Sequence, residues 1–548
     1  MSKPRKPVAA LLMLVVGGPL AAVALLSVGA LLDASAWLDL WREPQWLVAL
    51  GLSVWTGVAS TTLAWWISAA LLAQGFVRHR LSALLRGVPA MLATPHAAFA
   101  IGLAFLIAPS GWVLRALSPW LTGFEWPPAW PTTQDPWGLG LILALTAKEV
   151  PFLLWTAATQ LQRDDVRQRW RAEHTLAQTL GYSPARAWWL VVWPQLGVRL
   201  FWPLLAVLAY GLTVVDMALV IGPATPPTLA VLSWQWLQDA DLATNARGAT
   251  AGGALALTVL LAAWGWHGLQ RFQARRWRRG SGLRGRAPEQ LNTHLRALPG
   301  LWLLGGLYAA VLLALAVGSL AGVWPFPALW PDTLTGQAWA SVWHSRHTVG
   351  TTLALALASS AIALLWSVAW LEFSPRRWDL ALRPLLYLPL VLPAVLWVVG
   401  LYRLTLHAHL EGQWAGLLLA HTAMVLPYVL LALSPAYLGF DPRAAQLSES
   451  LGHGQWAFLL RVKWPLLRRS LAASAAVGFA VSVTQYLPTL YIGAGRFATV
   501  TTEAVTLASG AQRSLTSAYA GLQFALPVLA FALAAWVGRP RRFKVATP

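Results

Sequence analysis

The chain has 548 residues, 57% hydrophobic and only 11% charged, with 40 Lys and Arg against 20 Asp and Glu for a formal net charge of +20. So little charge cannot cover the surface of a soluble protein of this length, which excludes a soluble globular class. The absence of cysteine excludes disulfides and thiolate metal or redox sites.

Taken in chain order, twelve apolar runs come close to the roughly 20 residues that a helix needs to cross a bilayer. They cover 8–31, 46–75, 84–107, 137–160, 199–221, 249–269, 298–322, 348–372, 383–406, 414–437, 470–492 and 517–538. Continuous hydrophobic runs lack the alternation of a membrane β-barrel, so the expected fold is all-α integral membrane with twelve transmembrane helices. The opening MSKPRKP and its apolar run read as helix one. That run exceeds the roughly 7–15 residues of a cleaved signal core.

The basic residues sort by side. With the N-terminus inside, alternate loops and helix ends carry 32 of the 40 Lys and Arg, the intervening loops carry seven, and Lys148 lies within helix four. This obeys the positive-inside rule at every crossing and places both termini in the cytoplasm. The basicity therefore implies no nucleic acid. The densest block, RFQARRWRRGSGLRGR at 271–286, reads as a cytoplasmic linker in contact with anionic lipid. The eleven histidines show no helical pairing with a nearby carboxylate, so no metal site is expected.

The helices divide into two units of six, 1–270 and 298–548, joined by the basic linker 271–297. ATPHAAFAIGLAFL at 93–106 matches VLPAVLWVVGLYRL at 391–404, aligning Pro95 with Pro393 and Gly102 with Gly400. Pro151 likewise aligns with Pro427. Two copies of one six-helix unit in the same orientation imply a pseudo-twofold axis along the membrane normal, with a pathway between the halves.

One repeated stretch lies in the loops after helices four and ten. TLAQTLGYSPARAWWLVVWPQL at 175–196 and QLSESLGHGQWAFLLRVKWPLL at 446–467 share a Gly and a Trp-Pro at a spacing of 271 residues. Gly181 suits the left-handed position that ends a helix, Ser183 caps the next helix, and Pro184 fits its first turn. Each copy is thus expected to be a helix, a Gly bend, a short helix, then the Trp-Pro before membrane re-entry. Gly452, Gly454, Trp464 and Pro465 repeat the pattern. Such a bent, projecting helix is a docking element.

These stretches resemble the EAA loop of ABC-importer permeases, and the likeness extends over the six-plus-six build. Gly181, then Val191, Val192, Trp193 and Pro194, occupy the family's positions, as do Gly452, Val462, Lys463, Trp464 and Pro465. The family's leading Glu is Thr175 in one copy and Gln446 in the other. The chain is similar in particular to the fused, double-length permeases of the iron(III) and thiamine type, including an enterobacterial branch of them. YLPTLYIGAGRFATVTTEAVTLASG at 486–510 adds to that likeness. The resemblance implies a type I importer fold in a bacterial inner membrane. It also implies a separate cytoplasmic ATPase, as a homodimer, docked on both loops, and an external or periplasmic binding protein delivering the substrate. The chain has no G-x4-G-K-[ST] phosphate loop, so it is expected to bind no cofactor itself, and ATP is used by the partner.

Ionisable groups at bilayer depth are costly and usually functional. Lys148 and Glu149 precede Pro151 in helix four, Asp216 lies in helix five, and Gln485 and Tyr486 lie in a comparable stretch of helix eleven. Two readings stand: these residues line a substrate cavity, or they are interhelical partners such as Lys148 with Asp216. The substrate is not named by the sequence; iron, thiamine or a related pyrimidine, a polyamine and other small solutes all fit. The alternative function is a self-sufficient secondary transporter with two parallel six-helix halves, which needs no Gly-bent docking loops.

Overall fold

The computed structural model describes residues 5–78, 81, 85–276, 300–510 and 512–539. The basic linker 271–297 lies outside the described residues from 277 onward. The fold is 79% helical, with no strand among the described residues. Ten described helices are long and apolar enough to cross a membrane, or up to twelve if two bent pairs each count as one span. The expected all-α membrane architecture is present.

The elements used below are α1 (Lys6–Gly29), α2 (Trp46–Val77), α3 (Val88–Ala93), α4 (His96–Ile107) and α5 (Leu139–Gln162). Next come α6 (Asp164–Thr179), α7 (Pro184–Arg199), α8 (Phe201–Thr213), α9 (Asp216–Ile221), α10 (Leu242–Phe272) and α11 (Leu301–Leu320). The rest are α12 (Arg346–Phe373), α13 (Arg376–Val391), α14 (Ala394–His407), α15 (Trp414–Leu438), α16 (Pro442–Ser450), α17 (Gln455–Val483), α18 (Leu487–Ile492) and α19 (Arg513–Val537).

Four of the expected continuous helices are broken. The run 84–107 splits at Thr94-Pro95, and 383–406 splits at Leu392-Pro393 with a bend of 113° between α13 and α14. A proline forces the residue before it out of the helical region, and Thr94 and Leu392 have ψ of 122° and 144°. The run 199–221 bends by 67° at Leu200 and breaks again at Val214-Val215. The run 470–492 breaks at 484–486. Thr213-Val214-Val215 is a β-branched run, which weakens the helix there.

Small residues let the spans pack closely. Along α2, Ala49, Ser53, Thr56, Ser60, Ala64 and Ser68 form one buried stripe. There Gly57 meets Gly211 of α8, whose added Cβ would stand 3.2 Å from the Gly57 Cα. Along α12, Thr348, Thr352, Ala356, Ser359, Ala363 and Ser367 form the corresponding stripe.

The chain forms two compact units, Asp33–Gly336 and Met1–Leu32 with Gln337–Pro548. These are cut at other places than the sequence repeats 1–270 and 298–548, because the first helix of each repeat packs with the other repeat. In one unit α1 lies on α14, where a Cβ at Gly400 would collide with Ser27 Oγ and Val23 O. In the other, α11 lies on α4, where a Cβ at Gly102 would stand 2.7 Å from Val311 Cγ1 and 2.9 Å from Val311 O. The two glycines aligned by the repeat are the notches that seat the exchanged helices.

Candidate functional site

Both repeated loops fold as a helix closed by a left-handed glycine. In the first, the Gly181 N–H donates to Gln178 O at 2.9 Å and the Tyr182 N–H to Ala177 O at 3.2 Å. In the second, the Gly452 N–H donates to Glu449 O and the His453 N–H to Ser448 O, both at 3.0 Å. This is the Schellman arrangement, which satisfies the orphan carbonyls at a helix end. It requires positive φ, found as 91° at Gly181 and 78° at Gly452. The space around both glycines is open, so backbone conformation alone dictates the residue. Ser183 then caps α7, accepting from the Arg186 N–H at 3.3 Å, with Pro184 in the first turn.

Each short helix next widens for one turn, at Trp188–Val192 and at Leu459–Lys463. In these turns the N–H of Trp193 reaches back to Trp188 O and that of Trp464 to Leu459 O. The cause is the following proline. Pro194 and Pro465 lack an N–H and would clash with the carbonyl four residues earlier in a regular helix, so the wider turn takes up the ring. Val191 and Val462 lie half-buried within these turns. Trp193 is buried with its ring 4.4 Å from that of Trp65, and Trp464 Nε1 donates to Tyr437 Oη at 3.2 Å.

The two bends are anchored differently. In the first, Gln195 of α7 donates to Glu173 of α6 at 2.6 Å and accepts from Trp170 Nε1 at 3.0 Å. His174 Nε2 lies 2.9 Å from Pro184 O, which can only accept, so Nε2 carries the proton and Nδ1 accepts from Gln178 at 2.8 Å. Burial pushes the Glu173 carboxyl upward, but hydrogen bonds from Arg169 and Gln195 and the Arg169 charge outweigh it and hold it below its ordinary 4.5. In the second bend, Lys463 Nζ donates to Glu372 at the end of α12 at 2.6 Å and lies 4.0 Å from the Tyr437 ring centroid. Tyr437 Oη also donates to Glu372, at 2.9 Å.

Among polar exposed residues, each bend also presents large apolar side chains outward. Leu176 on α6 and Leu180 just past it are each 62% exposed; Leu447 and, just past α16, Leu451 are 63% and 67% exposed. Residues four apart share a helix face, so each copy displays a pair of leucines one turn apart, five residues and one residue before its glycine. Thr175 and Gln446, at the positions of the missing Glu, are exposed beside them. The leucines escaped the sequence reading, although the signal was there in the shared L-x3-L-G of both stretches.

The residues at bilayer depth separate into distinct duties. Lys148 Nζ donates to Thr94 O at 2.6 Å and to Met91 O at 3.2 Å, rather than to Asp216. It thereby satisfies the end of α3 where Pro95 breaks the span. Glu149 is turned the other way, with Oε1 4.0 Å from His96 Nε2, and the His96 ring lies 4.8 Å from that of Tyr210. Asp216 opens α9, just after the break, and is half-buried. Gln485 and Tyr486 occupy the corresponding break before α18; Gln485 Nε2 donates to Val481 O at 3.2 Å. Sequence reasoning passed over His96, Tyr210 and His421. The last is buried and spans this second break, with Nδ1 2.8 Å from Ser482 Oγ and Nε2 2.9 Å from Thr489 Oγ1.

No protein-family model matches the chain. It is 34% identical over 540 residues, 96% of each chain, to the inner membrane ABC transporter permease protein YnjC of Escherichia coli K12. Over 223 residues, 37% of this chain and 40% of the other, it is 30% identical to the thiamine transport system permease protein ThiP of Salmonella typhimurium. Over 161 residues, 26% of this chain and 70% of the other, it is 31% identical to the molybdenum transport system permease protein ModB of Azotobacter vinelandii.

Proposed function

This chain belongs to the ABC transporter permease family, and from that premise we propose that it forms the substrate pathway of a binding-protein-dependent importer and takes its driving force at the two Gly-bent elements. The observation that carries the reading is the paired exposed leucines on two Schellman-closed helix ends, repeated 271 residues apart. Exposed apolar pairs on polar helices are costly in water and mark a surface that another protein covers. The partner is a cytoplasmic ATPase, most simply a homodimer, since the two docking elements repeat one shape. It supplies the ATP chemistry for which this chain has no phosphate loop. An external binding protein supplies the substrate. The positive-inside asymmetry supports a reading in which both bends and both termini face the cytoplasm of a bacterial inner membrane, with the linker basic enough to touch anionic lipid.

The coupling follows the chain. From its docking turn, α17 runs 29 residues, through its one widened turn, to the break at 484–486. At 1.5 Å per residue this is a rod of roughly 44 Å. Displacement of the docking end by the ATPase therefore arrives directly at the break. In the first copy the same route passes the bend at Leu200 before reaching Val214-Val215. A secondary transporter has no use for two such levers. Co-purification from a membrane extract tests the reading: a nucleotide-hydrolysing subunit is expected with the chain, and transport by the chain alone in proteoliposomes would overturn it.

A further inference from the structure

The internal repeat acts as a control for the polar residues at bilayer depth. With Pro95 set on Pro393, Pro151 on Pro427 and Pro194 on Pro465, His96 corresponds to Ala394, Glu149 to Val425 and Tyr210 to Val481. The second copy builds the same six-helix unit with small or apolar side chains at all three places, so the fold does not require the polar ones. Yet Glu149 keeps a carboxylate that is only 8% exposed, and among the described residues no hydrogen bond reaches it. The 4.0 Å to His96 Nε2 is beyond hydrogen-bond range. A buried carboxylate is costly unless something compensates it. The neighbouring Lys148 charge offsets part of that cost, but its hydrogen bonds go elsewhere, onto the Met91 and Thr94 carbonyls, and its ammonium lies 5.9 and 5.6 Å from the rings of Phe99 and Tyr308.

The surroundings of Glu149 are partly open. The His96 side chain is 40% exposed, and Tyr210 and Asp216 are half-buried. Polar, ionisable groups partly open at bilayer depth face a water-filled cavity rather than lipid. The elements that carry them converge: α9 packs on α4 and α5, and α8 packs on α5. We infer that Glu149, with His96 and Tyr210 beside it, is a recognition site for a cationic group on the transported solute. The carboxylate supplies the opposite charge, and the aromatic ring of Tyr210 can attract a cation that has shed part of its water. Asp216, on α9 packed against the elements of His96 and Glu149, adds a second negative charge to the same unit and disfavours an anionic solute. Lys148 is the structural member of the group, and Glu149 the selective one. The inference rests on the permease reading.

The experiment uses the whole chain, purified in detergent with whatever ATPase accompanies it. Thermal unfolding is followed during titration with choline, with its uncharged isostere 3,3-dimethylbutanol, with thiamine and with molybdate. A cation is expected to raise the melting temperature, while the isostere and molybdate leave it unchanged. Glu149→Gln is expected to weaken the cation at least about tenfold, the loss of one charge-assisted contact. Glu149→Val, the residue of the second copy, is expected to fold and keep the ATPase. Stabilisation by neither cation, or equal affinity in Glu149→Gln, would overturn the inference. Absence of the ATPase from the preparation would instead count against the permease reading, whatever the cations do.

Discussion

At Gly181 and Gly452 what forbids a side chain is the backbone, since no neighbour lies within 4 Å of an added Cβ. A β-branched residue held at positive φ costs roughly 1–2 kcal/mol, whereas Asn tolerates that region. Gly181→Val with Gly452→Val is therefore expected to leave the membrane part folded but abolish transport while ATP hydrolysis persists. The Asn pair should transport; proteoliposomes with the ATPase compare the two. Lys148 has a different kind of constraint. Lys148→Met leaves the Met91 and Thr94 carbonyls without their donor and should lower stability by about 1–3 kcal/mol, read by thermal unfolding. The glycines, Ser183 and the prolines were legible in the sequence because their constraints are local. The partner of Lys148 was not, because it consists of backbone carbonyls more than fifty residues away, exposed only by a helix break.

At the scale of elements, the first bend depends on an acid and the second does not in the same way. Glu173 is held below its ordinary 4.5, so its contribution is present above that pH and is lost as pH falls through and below it. Acidification into that range should loosen the contact between α6 and α7. Hydrogen exchange across residues 178–186 should rise as pH is lowered, once intrinsic rates are subtracted, and Glu173→Gln should remove the pH dependence. Proteolysis at the second bend serves as the internal comparison. Two of the helix breaks could be read from Pro95 and Pro393, since a proline acts on the residue before it. All four runs are nonetheless expected as continuous from the sequence, and the breaks at Val214-Val215 and 484–486 carry no proline at the break itself to mark them. Their nonhelical backbone is held by tertiary contacts, such as His421 reaching Ser482 and Thr489 on either side of the second break.

For the molecule as a whole, composition and periodicity revealed the class, because crossing a bilayer imposes helix length and apolarity directly. The exchange of first helices between the repeats was not legible. It depends on which helix fills the notch at Gly102 or Gly400, and a glycine in a sequence does not say what will approach it. Gly400→Leu should eject α1 from its seat, lowering stability by roughly 1–3 kcal/mol or preventing assembly, seen as loss of a monodisperse peak in detergent. The central claim is that paired bends on the inner face receive force from a separate ATPase. The chain has no native cysteine, so Leu176→Cys and Leu447→Cys can each be introduced singly and treated with a short thiol-to-amine cross-linker in intact inner-membrane vesicles. Each is expected to capture a nucleotide-hydrolysing subunit. Capture of none by either residue, or labelling of either from outside the cell by an impermeant maleimide, would contradict the account.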